Sequence, residues 1–285
     1  MSPPQKRTGA KWPGFLINRS GLPFDELTWN ELWEFASHLH PEAKLTLREI
    51  QSAPSLIDLP HPLPPSASLA RQGRTVEYVE KVQDYLKKLT YNHTGTQFFE
   101  TRPNSSILTL MELARAMVRE ALPIKCMEAV VLAVYLTHGV SGLGRFTINF
   151  KSELPQQNKF GSSSNNNNNG FQHQKRFFYH VVLGLTSGNK FGSIGLSRRS
   201  TLMDKEMKYG SLFDLVEEFR ESYSNCGQKL VKVRVGQLIS HDLHSISPIP
   251  WKGVTVHPQE EDEKEVRLKI EKFSRELRSN LRVTR

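Results

Sequence analysis

Residues 123–137, PIKCMEAVVLAVYLT, decide the fold of this chain. The run is apolar nearly all round, and a helix of that kind is buried rather than laid on a surface. Cys126 falls in its first turn, three residues after Pro123. A helix start carries unpaired amides and the positive end of the dipole, and both favour a thiolate. Lys125 next door adds a second positive charge. Cys126 is therefore a candidate nucleophile. The competing assignment is a structural thiol, because free Cys packs as a small hydrophobe.

Downstream of this helix the pattern turns to strands. TINF (147–150), KRFFYHVVLGLT (175–186), KFGSIGL (190–196) and KLVKVRVGQ (229–237) are rich in Val, Phe and Ile and broken by Gly. Between the first two lies GSSSNNNNNG (161–170), a low-complexity stretch expected to be an exposed loop. SLFDLVEEFRESY (211–223) is an amphipathic helix. A last helix near 259–281 aligns Val266, Ile270, Phe273, Leu277 and Leu281 on one face. Its acids (Glu260, Glu261, Asp262, Glu263) come first and its bases (Arg275, Arg278, Arg282) last, as the dipole favours.

Upstream the chain is helical. Thr28–Glu31, Thr46–Glu49 and Thr109–Glu112 all fit the capping-box spacing. The first helix, TWNELWEFASHLH (28–40), is expected to bury Leu32, Phe35 and Leu39. Over 75–90, Val76, Val79, Val82, Leu86 and Leu89 recur at helical spacing, and Leu110, Leu113, Met117 and Val118 form the apolar face of a helix over 107–121. Five prolines within 53–65 make an extended connector. Residues 1–24, Pro/Gly-rich and basic, are expected to be a flexible tail. The organisation expected is thus a tail (1–24), a helical N-terminal domain (25–121) and an α+β domain (122–285).

Composition narrows the classes. The 285 residues suffice for one large domain or two small ones. Against 29 Asp and Glu stand 38 Lys and Arg, a formal charge of +9, so an acidic partner is indicated. No run approaches the roughly 18 apolar residues of a membrane span, and MSPPQKRTGAKWPGF lacks the apolar core of a secretory signal. Two cysteines, Cys126 and Cys226, make no disulfide framework, which suits a reducing interior. GxxxxGK[ST] and GxGxxG are absent, which argues against a nucleotide enzyme, and no RNA-binding motif accompanies the basic charge.

His180 lies inside the strand FFYHVVLGL (177–185). A His among apolar residues must find partners for its ring nitrogens, or it loses about 1–3 kcal/mol per buried unsatisfied group. Taken alone it reads as a satisfied core His. Yet Cys at a helix start with His on a later strand is the layout of papain-like and transglutaminase-like enzymes, in which the thiol needs a base and the base an orienting group. That third group is open: Asp204 is the first acid after His180, and Ser197, in GSIGLSRR (192–199), offers a hydroxyl or a backbone carbonyl. His241 and His244 (HDLH) lack the further ligands of a zinc site, and Cys226 faces the negative end of a helix dipole.

The stretch YNHTGTQFFE (91–100) closely resembles a signature of the vasohibins. So do ALPIKCMEAV (121–130), HVVLGL (180–185), GLSRR (195–199), VGQLISHDLHS (235–245) and NRSGLPFDELTWNELW (18–33), in the family's order. The resemblance implies a transglutaminase-like cysteine peptidase that removes the C-terminal tyrosine of α-tubulin on microtubules, without a cofactor. It implies a Cys–His–Ser set at Cys126, His180 and Ser197, which favours Ser197 over Asp204. It implies carboxylate recognition by Lys125 and Arg198, with Tyr91 lining the site. It further implies a cytoplasmic, cytoskeleton-associated enzyme and a small helical partner, the small vasohibin-binding protein, on the N-terminal helical part, with neither nucleic acid nor membrane involved. Two departures from animal vasohibins stand out. The Asn-rich loop stretches the separation of Cys126 and His180 to 54 residues, and no long basic tail follows the last helix, from which weaker microtubule attachment is expected.

The residues agree with what the resemblance implies. A carboxypeptidase must recognise a free carboxylate one residue beyond the scissile bond, and Arg offers a planar fork for it. Arg198 adjoins Ser197, and Lys125 adjoins Cys126. A chain at +9 also steers an acidic tail inward. Two other functions fit the same residues: another transglutaminase-like acyl transfer, and a non-catalytic microtubule- or RNA-binding protein.

Overall fold

The computed structural model describes residues 16–54, 61–155 and 176–283. The 161–170 loop, most of the connector's centre and residues 1–15 lie outside the described residues. The elements in chain order are β1 (Leu16–Ile17), α1 (Glu26–Leu39), α2 (Lys44–Ser52), α3 (Ser68–Arg71), α4 (Thr75–Leu89), β2 (Thr96–Gln97), α5 (Ile107–Glu120) and α6 (Cys126–Leu136). They continue with β3 (Leu143–Glu153), β4 (Phe177–Ser187), β5 (Lys190–Ile194), β6 (Lys205–Tyr209), α7 (Leu212–Asn225), β7 (Lys229–Gly236), β8 (Gly253–Val256) and α8 (Glu263–Val283). The protein is a mixed α and β fold with a six-stranded antiparallel sheet ordered β6-β5-β4-β3-β7-β8.

The central helix α6 explains its own sequence. On one side it packs on the sheet through Val181, Leu183 and Leu185; on the other it meets Leu110, Met111 and Met117 of α5 and Val82 and Leu86 of α4. With neighbours on both sides, it has no face for polar residues, and Ala129 to Val134 are all fully buried. The opposite sheet face carries Phe146, Ile148, Val182 and Val233 and is covered by α7 and α8 through Leu215, Phe219, Val266 and Ile270. Strand alternation divides β4 between the two cores: Val181 and Leu183 face α6, Val182 faces α7. Gly184 continues the second face, where a Cβ would lie 2.3 Å from Cε2 of Phe146. The glycine leaves room for that buried ring.

Several details differ from the expectation. All three capping boxes are displaced. α1 is capped by Asp25, whose Oδ1 takes the Thr28 N–H at 2.7 Å. α5 is capped by Ser106, whose Oγ takes the Thr109 N–H at 3.1 Å, and α2 has no side-chain cap. The cap is the last extended residue (ψ 168° at Asp25, 155° at Ser106), and each Thr sits three places later as the amide donor. Phe35 is buried but Leu39 is 40% exposed, because α1 lies at the surface. Val76, at the start of α4, is exposed too. The stretch expected to be a tail is pinned from Leu16 onward. Leu16 and Ile17 pair with Thr96 and Gln97, and the Asn18 amide donates to the carbonyls of Gly21 and Phe98. The strands β6 and β8 were not expected. The apolar stripe of α8 is buried at Val266, Ile270 and Leu277, as its spacing predicts.

Candidate active site

The start of α6 delivers Cys126 to the sheet at β4. The backbone N–H groups of Val181, Met127 and Cys126 itself reach its sulfur. These donors favour the thiolate, but burial outweighs them and pushes the Cys126 thiol up from its ordinary value. The buried Glu128 nearby pushes it in the same direction. The helix-start expectation was therefore correct about the donors and incomplete about the environment.

His180 adjoins Val181 on β4, on the face turned to α7. Its ring stacks on Phe150 (centroids 6.2 Å apart, planes at 18°), and Phe150 is braced in turn by Phe219 and Tyr223 of α7. Its Nε2 bonds the backbone carbonyl of Leu202 at 2.7 Å. A carbonyl only accepts, so Nε2 carries the proton and Nδ1 holds the lone pair. Burial lowers the His180 pKa to about 4, and the charge of Arg198 acts in the same direction. Both shifts favour the neutral forms of Cys126 and His180.

The ring's orienter is a correction to the sequence expectation. Ser197 is buried in the same cavity wall, but its hydroxyl accepts the Arg199 N–H at 3.2 Å, shaping the turn that carries Arg198. Leu202, five residues on, supplies the acceptor instead. Asp204 is engaged elsewhere, with Lys87 at 3.2 Å.

One cavity of about 440 Å³ gathers Tyr91, Cys126, His180, Ser197, Arg198 and Leu202. Lys125, half-buried, is the N-cap of α6 immediately beside it. Tyr91 is held against the chain before α6 by a bridge to Ile124, and its hydroxyl hydrogen-bonds Arg198. Lys125 is pushed below its ordinary pKa first by burial and also by the Arg198 charge, so the two cations sense each other. Cys226, at the C-cap of α7, lines the same cavity.

A larger cavity of about 840 Å³ lies at the far end of α6 among Gly139, Arg145 and His241. Both ring nitrogens of His241 are taken, by the Leu143 carbonyl (2.9 Å) and the Gly139 N–H (3.0 Å). Arg145 is fully buried and donates to the carbonyls of Val134 (2.8 Å) and Ser240 (2.6 Å), tying the end of α6 to the 239–240 loop. Size does not single out the candidate site: Cys126, His180 and Arg198 share the smaller cavity, with Lys125 beside it.

Two contacts at the site escaped the sequence. Leu202 contributes a backbone carbonyl to His180, and a carbonyl has no residue signature. Glu128 resembled any acidic residue in a first turn, yet it is fully buried.

A family model described as Vasohibin matches residues 13–161 and 169–278. Tubulinyl-Tyr carboxypeptidase 1 of Mus musculus is 38% identical over 264 residues, which is 93% of this chain and 65% of that relative. The chain spans just under two thirds of that relative's length. The chain belongs to the vasohibin family.

Proposed function

We propose that the protein is a cysteine carboxypeptidase that removes the C-terminal tyrosine of α-tubulin by thiol acyl transfer. The observation that carries this is the convergence of two cations on the nucleophile's cavity: Lys125 beside Cys126, and Arg198 bonded to Tyr91. Cations brought close to each other beside a nucleophile suit a substrate that ends in a carboxylate, and an endopeptidase has no use for them. The similarity to a tubulinyl-Tyr carboxypeptidase supports the choice of tyrosine and tubulin.

In the proposed mechanism, Nδ1 of His180 takes the Cys126 proton as the sulfur attacks the carbonyl of the penultimate residue. The Cys126 backbone N–H, at the helix start, donates to the developing oxyanion. The imidazolium passes its proton to the amine of the departing tyrosine; the neutral imidazole left behind then takes a proton from water as that water attacks the thioester, and returns it to the leaving Cys126 sulfur. The Leu202 carbonyl steadies the ring throughout, and Ser197 holds the turn beneath Arg198. Lys125, Arg198 and Tyr91 grip the terminal carboxylate.

The finer architecture belongs to the same proposal. Residues 122–285 form a transglutaminase-like, papain-like peptidase unit, and the helical part, 25–121, packs on it. Tyr91 comes from the helical part, and α4 and α5 share a core with α6. The chaperone face fits α1 and α2. Every residue of α2 lies at least partly open, with Leu45 at 75% and Ile50 at 55% exposed, and α1 leaves Leu27 at 70%. A small helical partner would cover these side chains, and the enzyme would work in the cytoplasm on the cytoskeleton.

Mass spectrometry of an α-tubulin tail peptide incubated with the protein tests the activity. Loss of one tyrosine, abolished in Cys126→Ala, is expected. An intact peptide with folded protein and its helical partner present would refute the peptidase. An adduct formed with an added primary amine would point to transglutaminase-like acyl transfer instead.

A further inference from the structure

We propose that Glu128 is a positioning residue for substrate binding: its carboxylate fastens the 91–100 segment to the first turn of α6 and so sets where Tyr91 and Lys125 stand relative to Cys126. This rests on the peptidase function proposed above.

Glu128 is fully buried, and its two oxygens serve two separate stretches of chain. Oε2 accepts the Lys125 N–H at 2.6 Å, inside the helix start. Oε1 accepts the Phe99 N–H at 3.1 Å, from the segment that begins with Tyr91. That segment's other end is already fixed, by the Asn92 N–H to the Ile124 carbonyl at 2.9 Å. Between the two anchors the segment folds on itself, with the Asn92 amide donating to the Thr96 carbonyl at 2.6 Å. Glu128 is thus the side chain that closes the loop carrying Tyr91 onto the helix carrying Cys126.

A carboxylate suits this position because both of its oxygens accept. The isosteric amide of Gln turns an NH₂ toward one of the two N–H donors, so one bond is lost. The buried charge has a cost. The Glu128 charge pushes the Cys126 thiol upward, and burial raises the Glu128 pKa itself to about 7. What offsets that cost is the pair of bonds by which the carboxylate joins two separate stretches of chain.

The test uses the full chain carrying Glu128→Gln or Glu128→Asp, with peptides ending in tyrosine as free acid or amide. Wild-type turnover is measured first, and absence of tyrosine release there defeats the peptidase function rather than this inference. With Glu128→Gln, KM for the free acid is expected to rise about 10-fold or more, because displacements near 1 Å can cost about 100-fold. The preference for acid over amide should fall with it, and kcat should change far less. Iodoacetamide should alkylate Cys126 faster in Glu128→Gln, because the neighbouring anion is gone, but not in Glu128→Asp, which keeps it. Glu128→Asp keeps two acceptors and should recover part of the KM. A folded Glu128→Gln protein with wild-type KM and acid-to-amide preference overturns the inference. If neither variant folds, Asn92→Ala loosens the same loop without touching α6, and an unchanged KM and preference there overturn it equally.

Discussion

Replacing Arg198 should damage recognition of the free C-terminus far more than folding. Arg198 is exposed in the free protein and lines the cavity that holds Cys126, with its hydrogen bond to the Tyr91 hydroxyl. Its removal therefore leaves no buried group stranded, and the melting temperature should scarcely move. A bound substrate changes the balance, since it covers the guanidinium and places a carboxylate against it. A charge-assisted hydrogen bond is worth about 1.5–3 kcal/mol, so Arg198→Ala should lower kcat/KM on a Tyr-ending peptide about 10- to 100-fold. The exposure of Arg198 before binding favours the lower end of that range. Lys125 remains beside the site, so part of the preference for a free acid should survive. Arg198→Lys should recover only part of the loss, because an ammonium cannot form the planar fork. The assay is kcat/KM for matched free-acid and amidated peptides with wild type, Arg198→Ala and Arg198→Lys. An acid-to-amide ratio that is the same in wild type and Arg198→Ala would show that Arg198 is no part of the clamp, and would move the role to Lys125.

Three further outcomes are expected. At pH 7 the ultraviolet difference between wild type and Cys126→Ala should lack the thiolate band near 240 nm, because Cys126 is pushed up and His180 down to about 4; a full band at pH 7 would establish a resting ion pair instead. Burial raises Glu128 to about 7, so its proton is held more tightly in the folded state, and its contribution to stability is lost as pH rises from about 4.5 to about 7. Thermal melts of Glu128→Gln should accordingly gain on wild type across that window, and a pH-independent difference would contradict the raised pKa. Gly184→Ala should cost about 1–3 kcal/mol by overpacking Phe146, with partial recovery on adding Phe146→Leu; a variant as stable as wild type would mean that the sheet yields there easily.

Features set by period and composition are legible without any knowledge of the packing. The all-round apolar run at 126–136 meant a helix with neighbours on both sides, and α6 has α4 and α5 on one side and β4 on the other. The stripes of α4 and α8 and the strands β3, β4, β5 and β7 were legible for the same reason: a side chain's burial follows the geometry of its own element. The strands that escaped are short ones at the sheet's edges. β6 (KEMKY) buries only Met207, and β8 is four residues long, so neither gives the pattern a covered strand gives. Residue patterns brought Cys126, His180 and Ser197 into consideration and motif resemblance added the roles of Tyr91, Lys125 and Arg198; five of the six line one cavity, with Lys125 adjoining it.

How these groups act on one another depends on packing between segments distant in the chain. Whether Thr28 caps a helix or donates to the cap depends on the ψ of Asp25, which no spacing rule records. The partner of His180 is a main-chain carbonyl 22 residues away, and every residue has such a carbonyl. The Glu128 carboxylate finds its second donor at Phe99, 29 residues upstream, because the 91–100 segment folds back on the start of α6. The charge state of the thiol turned on the same kind of fact: a helix start alone favours thiolate, but the layers that close over α6 remove the water that would stabilise it. Local pattern fixes which elements form. Hydrogen-bond partners and pKa values depend on contacts between residues distant in sequence, and those exist only once the layers have packed.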